Sequence, residues 1–198
     1  MKIIIDKKAV GEHEIVSLLD YLGDWYLDKD IFTDQQAGTS EYRLYAYLSD
    51  WFDDTTILDI GTRTGGSGLA LSWNPNNSVI SFDLVRWPSH DNLEKHNLDL
   101  RIGNFMEDET IDYSNVSIIM IDVDPHDGVQ EPPMLEFLRE KNWSGLLLLD
   151  DIGSIWPAIE AMWNEIPEPK FDLTDIGHFS GTGLVVFGDK YEVEVIDG

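Results

Sequence analysis

Cysteine is absent from this chain of 198 residues, which excludes disulfides, thiolate metal sites and a cysteine nucleophile together. Positive charge is scarce. Thirteen Lys and Arg stand against 38 Asp and Glu, a net charge of −25, and such a surface repels a phosphate backbone, so no nucleic acid is expected as a partner. Solubility or a salty habitat is the ordinary use of that excess, although it also makes a divalent cation an easy guest. No apolar run approaches the ~20 residues that span a bilayer. The opening MKIIIDKKAV is too short and too charged for a signal peptide, so a soluble, cytoplasmic protein with no membrane partner is expected. Linkers rich in Pro, Gly or Ser, internal repeats and low-complexity tracts are also missing, and residues 1–198 therefore read as one domain. What is present is ample material for a core: 42% hydrophobic residues, with seven Trp and seven Tyr.

The order of elements comes next. In residues 14–26 and 41–52, apolar side chains recur at helical spacing (Ile15, Leu18, Leu19 and Leu22; Leu44, Tyr45 and Leu48), which predicts two amphipathic helices separated by the loop-like IFTDQQAGTS. From Thr56 onward the chain carries five short apolar runs, TILDIG, SVISFDLV, LDLRIG, SIIMIDVD and GLLLLDDI, of the kind that strands buried on both faces require. Segments long enough for crossover helices lie between them, clearest at 134–141 and 155–166, which makes the pattern repeated βαβ. At the end, FDLTDIG and TGLVVFG are separated only by HFSG, too short for a crossover, so an antiparallel hairpin is expected. The fold class is therefore α/β: a doubly wound, Rossmann-like sheet of five parallel strands plus a C-terminal antiparallel hairpin. Residues 1–54 form a helical cover and 55–188 the core.

The segment Ile57-Leu58-Asp59-Ile60-Gly61-Thr62-Arg63-Thr64-Gly65-Gly66-Ser67 is a strand that runs through glycines into a helix. Gly61 permits a sharp turn and close approach of a ligand, Gly65 and Gly66 let the helix start near the strand, and its open amides suit a carboxylate. Arg63 stands where G-x-G-x-x-G has its second glycine, which disfavours a bound pyrophosphate. The next run ends in Asp83, 24 positions after Asp59, where an acid can accept from two ribose hydroxyls.

This arrangement, with its terminal hairpin, resembles class I S-adenosylmethionine-dependent methyltransferases and their motif D/E-x-G-x-x-x-G-x-S. The resemblance implies that Asp59, Gly61, Thr62, Gly65 and Ser67 line the methionine side, that Asp83 holds the ribose, and that Asn104 and Phe105, in Gly103-Asn104-Phe105-Met106, hold the adenine. Either Phe105 or Met106 could equally be plain core.

Two acidic clusters close the fourth and fifth strands, Asp122-Val-Asp124-Pro-His126-Asp127 and Asp150-Asp151. Converging carboxylates repel one another, which a bound Mg²⁺ or Ca²⁺ relieves. The clusters are similar to those of metal-dependent O-methyltransferases of the catechol and macrocin types. That likeness implies Asp122, Asp150 and Asp151 as ligands of Mg²⁺ or another divalent cation, and a small hydroxylated molecule as acceptor. His126 is the candidate general base, displaced by Pro125 from the offset found in macrocin-type relatives, with Asp124 as its catalytic companion. Asp122 and Asp124 share one side of a strand by period 2, so either fits the ligand role. Asp151 or Ser154 would alternatively cap the following helix, and His178 in the hairpin is a second candidate base. The front aromatics Trp25, Tyr26, Tyr42, Tyr45, Tyr47 and Trp51 resemble an acceptor-shaping cover, and they equally suit a packing face or a homodimer contact. Two alternatives are a metal-independent N- or C-methyltransferase and a non-catalytic protein that keeps this cofactor-binding fold.

Overall fold

The computed structural model describes residues 1–22, 36–91 and 93–198. Its first strand, β1 (Lys2–Asp6), runs directly into α1 (Lys7–Glu12), because the Asp6 side chain accepts from the amides of Lys8 and Ala9 at 3.0 and 3.2 Å and so caps the helix. Residues 14–26 depart from expectation. Val16–Tyr21 is a 3₁₀ helix, in which side chains three apart eclipse; Ile15 and Leu18 are buried at that spacing, and no side chain caps the start. Beyond Leu22 the expected helix lies outside the described residues. The second helix, α2 (Gln36–Ser49), starts earlier and ends earlier than the spacing at 41–52 predicts. Short polar residues in QAGTS hide its first turns from any apolar period.

The five apolar runs become β2 (Thr56–Ile60), β3 (Ser78–Asp83), β4 (Leu98–Ile102), β5 (Val116–Ile121) and β6 (Gly145–Asp150), all mutually parallel. Among the described residues, α-helices follow β2, β5 and β6 and are absent from the β3–β4 and β4–β5 connections. These are α3 (Gly66–Leu71), α4 (Glu131–Glu140) and α5 (Pro157–Glu165), and both α4 and α5 carry proline in the first turn, where no amide is needed. The remaining strands are β7 (Lys170–Asp172), β8 (Thr182–Phe187) and β9 (Glu192–Ile196). The main sheet has the order β4-β3-β2-β5-β6-β8-β7, and β8 alone runs against its neighbours. β7 is much shorter than FDLTDIG, because the Asp172 carboxylate accepts from the amide and hydroxyl of Thr174 and turns the chain out of the sheet. β9 pairs in parallel with β1 in a separate two-stranded sheet.

Period-2 alternation divides the core into two layers. On one face Ile57, Ile118, Met120, Leu146 and Leu148 pack against Ile3, Leu44, Leu48 and Leu69 from β1, α2 and α3. On the other, Leu58, Ile119, Ile121, Leu147 and Leu149 meet Met134 and Leu138 of α4 and Trp163 of α5. Among the described residues, no helix is long and apolar enough to cross a membrane.

Candidate active site

The chain leaves β2 toward β3 on one side and returns to β5 on the other, so β2 and β5 flank the point where the strand order reverses. Ligands of open α/β sheets gather outside the carboxyl ends at this point. A cleft of about 560 Å³ opens there, with Gly61, Asp83, Asn104, Asp122 and His126 in its wall.

Asp83, the last residue of β3, organises one end. Its Oδ2 accepts from the Arg63 amide at 2.8 Å and from Trp87 Nε1 at 3.3 Å, and its Oδ1 accepts from the Val85 amide at 2.8 Å. The carboxylate thus ties the glycine loop to the β3–β4 connection; one lone pair stays free on Oδ1, and Oδ2 can take a further donor only in place of the long Trp87 contact. Asn104 lines the cleft and caps the 3₁₀ turn Phe105–Glu107 by accepting from the Met106 amide at 3.1 Å. Phe105 touches the cleft but is 1% exposed, packed against Phe82 and Phe137, so its main part is core.

The glycine loop divides differently from the sequence expectation. Gly61 has φ +91°, and a Cβ there would lie 1.7 Å from the Asp122 carbonyl oxygen, so the crowding strand β5 demands this glycine. Close packing of α3 on the strands is set by Gly68, whose Cβ would lie 2.0 Å from Ser81 Oγ and 2.9 Å from Asp59 Oδ2. Asp59 is fully buried and accepts from Ser81 Oγ at 2.8 Å; burial pushes its carboxyl up. Asp59, Thr62, Gly65 and Ser67 are buried and are not among the residues that line the cleft.

The acidic end is denser than the sequence suggested. Asp122, Asp150 and Asp151 lie within electrostatic reach of one another, but the donor atoms within 4.8 Å form two overlapping trios, Asp122 with His126 and Asp151, and Asp150 with Asp151 and His178; Glu41 of α2, which sequence reasoning missed, joins them. Burial pushes Glu41 well up, with the Asp150 charge adding to it, and its carboxylate accepts from the Tyr45 hydroxyl. Asp122 and Asp151 are likewise pushed up by burial and then by neighbouring carboxylates. His126 places Nδ1 2.9 Å from Asp151 Oδ2 and 3.9 Å from Asp122 Oδ1, with Nε2 3.1 Å from Asp124 Oδ1. His178 Nδ1 is 3.4 Å from Asp150 Oδ2 and lies against the Ser180 hydroxyl. Burial pulls His178 down, but Asp150, with the charge of Asp151, outweighs it and holds the imidazole up.

Among the described residues these histidines are the only ion-pair partners of Asp122, Asp150 and Asp151. Asp150 Oδ1 is buried and has no hydrogen-bond partner. His126 and Asp151 both hold left-handed backbones, at φ 55° and 64°. Such a donor set fits a divalent cation. α5 is capped at Trp156 with no side-chain bond, so neither Asp151 nor Ser154 caps it.

The front aromatics face elsewhere, apart from the Tyr45 hydroxyl, which donates to Glu41. Tyr45 is buried in the core, Tyr42 packs beside it, and Tyr47 donates to the Ile4 carbonyl at 2.8 Å and meets Trp51 edge-on. Trp25 and Tyr26 lie outside the described residues. Trp156 also borders the acidic end, its ring centroid 4.8 Å from that of His126. Trp87 and Arg63, both in the cleft wall, also went unassigned, although Trp87 lies only four residues past Asp83.

The topology, with one reversed strand between β6 and β7, is the Rossmann-like fold of methyltransferases. No protein-family model matches the chain, and no curated protein matches it in sequence. Solved structures do. An SAH-bound methyltransferase of Podospora anserina is similar with a TM-score of 0.60 at 15% identity, over 88% of this chain and 87% of that one. A methyltransferase of Geobacter sulfurreducens gives 0.61 at 13%, over 88% and 90%. A candidate caffeoyl-CoA O-methyltransferase of Staphylococcus aureus gives 0.53 at 18%, over 74% and 82%.

Proposed function

We propose that this protein transfers a methyl group from S-adenosylmethionine to a hydroxyl of a small molecule, with a divalent cation assisting. The observation that carries the reading is Asp83 at the carboxyl end of β3, in the wall of one cleft with Asp122, Asp124 and His126, the last of which contacts Asp151 of the carboxylate cluster at 2.9 Å. S-adenosylmethionine, when bound, supplies an electrophilic methyl on a sulfonium. Asp83 accepts from the ribose hydroxyls, Asn104 meets the adenine edge and the buried Phe105 backs it. Asp122, Asp150 and Asp151 would hold the cation, which supplies a lowered pKa to the acceptor hydroxyl. In the reaction the acceptor oxygen bonds to the methyl carbon as the carbon–sulfur bond breaks, the bonding pair leaves on sulfur, and the hydroxyl proton passes to an imidazole. His126 and His178 are the two imidazoles against the cluster.

Calorimetric titration with S-adenosylmethionine, S-adenosylhomocysteine and NAD tests this. Both sulfur ligands are expected to bind, and Asp83→Ala is expected to weaken them by roughly 10- to 100-fold, as loss of hydrogen bonds to a charged group does. Unchanged affinity in that variant sinks the ribose assignment, and binding of NAD alone sinks the whole reading.

A further inference from the structure

His126 stands in an unusual position for a proton acceptor. Its Nε2 faces the exposed Asp124 Oδ1 at 3.1 Å, an acceptor for a proton on Nε2, and in that tautomer the Nδ1 lone pair is directed toward two carboxylates. Nδ1 is 2.9 Å from Asp151 Oδ2 and 3.9 Å from Asp122 Oδ1. A proton on Nδ1 would satisfy Asp151 alone, because 3.9 Å is beyond hydrogen-bond reach. An ion would satisfy all three: ligands about 2.1 Å from one metal lie about 3.0–3.4 Å apart at octahedral or tetrahedral angles, between the two distances found here. The three donor atoms all fall within 4.8 Å of one another. A second observation comes from the neighbouring Asp150. Its side chain is only 7% exposed, yet Oδ1 has no hydrogen-bond partner.

We propose that Asp122, His126 and Asp151 form a mixed nitrogen–oxygen site for a first-row transition-metal ion such as Co²⁺ or Zn²⁺, with Nδ1 of His126 as a ligand and Asp124 as the positioning residue that fixes its tautomer. The proposal rests on the metal-assisted reading above and changes both the ion and the role of His126. Imidazole nitrogen favours such ions, whereas Mg²⁺ prefers an all-oxygen shell and gives up its water reluctantly. Carboxylate–imidazole–metal chains of the kind Asp124 and His126 would make also raise the basicity of the ligand. With His126 committed to the ion, His178 is left to take the acceptor's proton.

The test is calorimetric titration of the full chain, freed of metal by chelation, with Co²⁺ and with Mg²⁺, alongside the visible absorption of the Co²⁺ form and titration with S-adenosylmethionine. Wild type is expected to bind Co²⁺ more tightly than Mg²⁺. His126→Gln should lose at least about tenfold in Co²⁺ affinity and change the visible spectrum, with Mg²⁺ binding little altered. Asp124 is 87% exposed, so Asp124→Ala carries little folding risk, and it should weaken Co²⁺ by about tenfold. His96→Gln, at an exposed position away from the cluster, should change nothing. If His126→Gln keeps its Co²⁺ affinity, or His96→Gln loses it, the proposal is overturned. Mg²⁺ binding that matches Co²⁺ and disappears in Asp150→Ala/Asp151→Ala overturns the proposal and leaves the earlier reading standing. Binding of S-adenosylmethionine with neither ion removes both metal assignments and leaves methyl transfer.

Discussion

Single atoms decide most at the glycines. Gly61 combines φ +91° with a Cβ position 1.7 Å from the backbone oxygen of Asp122, a residue whose amide is tied to the Ile60 carbonyl at 2.9 Å, so the neighbour cannot retreat as a flexible side chain would. Gly11, in α1, has nothing within 4 Å of its Cβ position. The two alanine variants should therefore move in opposite directions. Gly61→Ala is expected to lose at least roughly 1–3 kcal/mol to overpacking, and Gly11→Ala to gain about 0.4–1 kcal/mol through the unfolded state. Urea midpoints measure both, and a Gly61→Ala midpoint at or above wild type would refute the steric argument. At this scale the sequence revealed which residues end strands, and Asp83, Asp122 and Asp150 could be placed because a strand's carboxyl end is where its apolar run stops. It did not reveal Glu41. That residue reaches the cluster from a helix of the cover, and local spacing carries no information about which distant strand a helix will meet.

Elements are joined here by polar ties as well as by the core. The Asn97 side chain donates to the carbonyls of Ser72, Asn74 and Asn77 at 3.0, 3.1 and 3.0 Å, so that the entry to β4 holds the end of α3. Lys95 reinforces the tie, donating to Asn97 Oδ1 at 2.6 Å and to the Ser72 carbonyl, and burial lowers its pKa from 10.5 to about 8. The sign of the linkage follows. Between pH 8 and 10.5 the unfolded chain retains a proton that the folded chain has released, so this group makes stability rise with pH across that window. Below it, the folded state bears the cost of a buried ammonium. The urea midpoint of wild type should gain on that of Lys95→Met as the pH rises from 8 to 10, and a constant difference would show that Lys95 does not titrate in the fold. The central parallel strands β2, β5 and β6 were legible because burial on both faces leaves unbroken apolar runs, whereas β4, an edge strand with no buried residue, was legible only from the apolar residues of LDLRI. β9 was not, since its EVEVI has one solvated face and its partner lies at the other end of the chain. The length of β7 was hidden too, because the side chain of Asp172 rather than any apolar pattern ends it.

For the whole molecule the governing quantity is charge. Of 38 carboxylates only a minority can find one of 13 cations, and the pairs that do form, such as Lys2 with Glu194, Arg86 with Asp91 and Arg101 with Asp99, lie largely at the surface. Exposed pairs of this kind contribute roughly 0–1 kcal/mol each. The unpaired remainder repels itself through the folded volume, and unfolding relieves that repulsion by spreading the chain. Salt acts on both terms with opposite signs. It weakens the few attractions and screens the many repulsions, with the Debye length falling from about 10 Å at 0.1 M to about 3 Å at 1 M. With a net charge of −25 the repulsive term is the larger, so the melting temperature is expected to climb steadily with NaCl between 0.05 and 1 M. KCl should match it closely if screening is the cause, whereas a specific ion effect would separate the two salts. A melting temperature that falls with added salt would mean that the ion pairs outweigh the repulsion, and that the acidic surface is locally compensated after all.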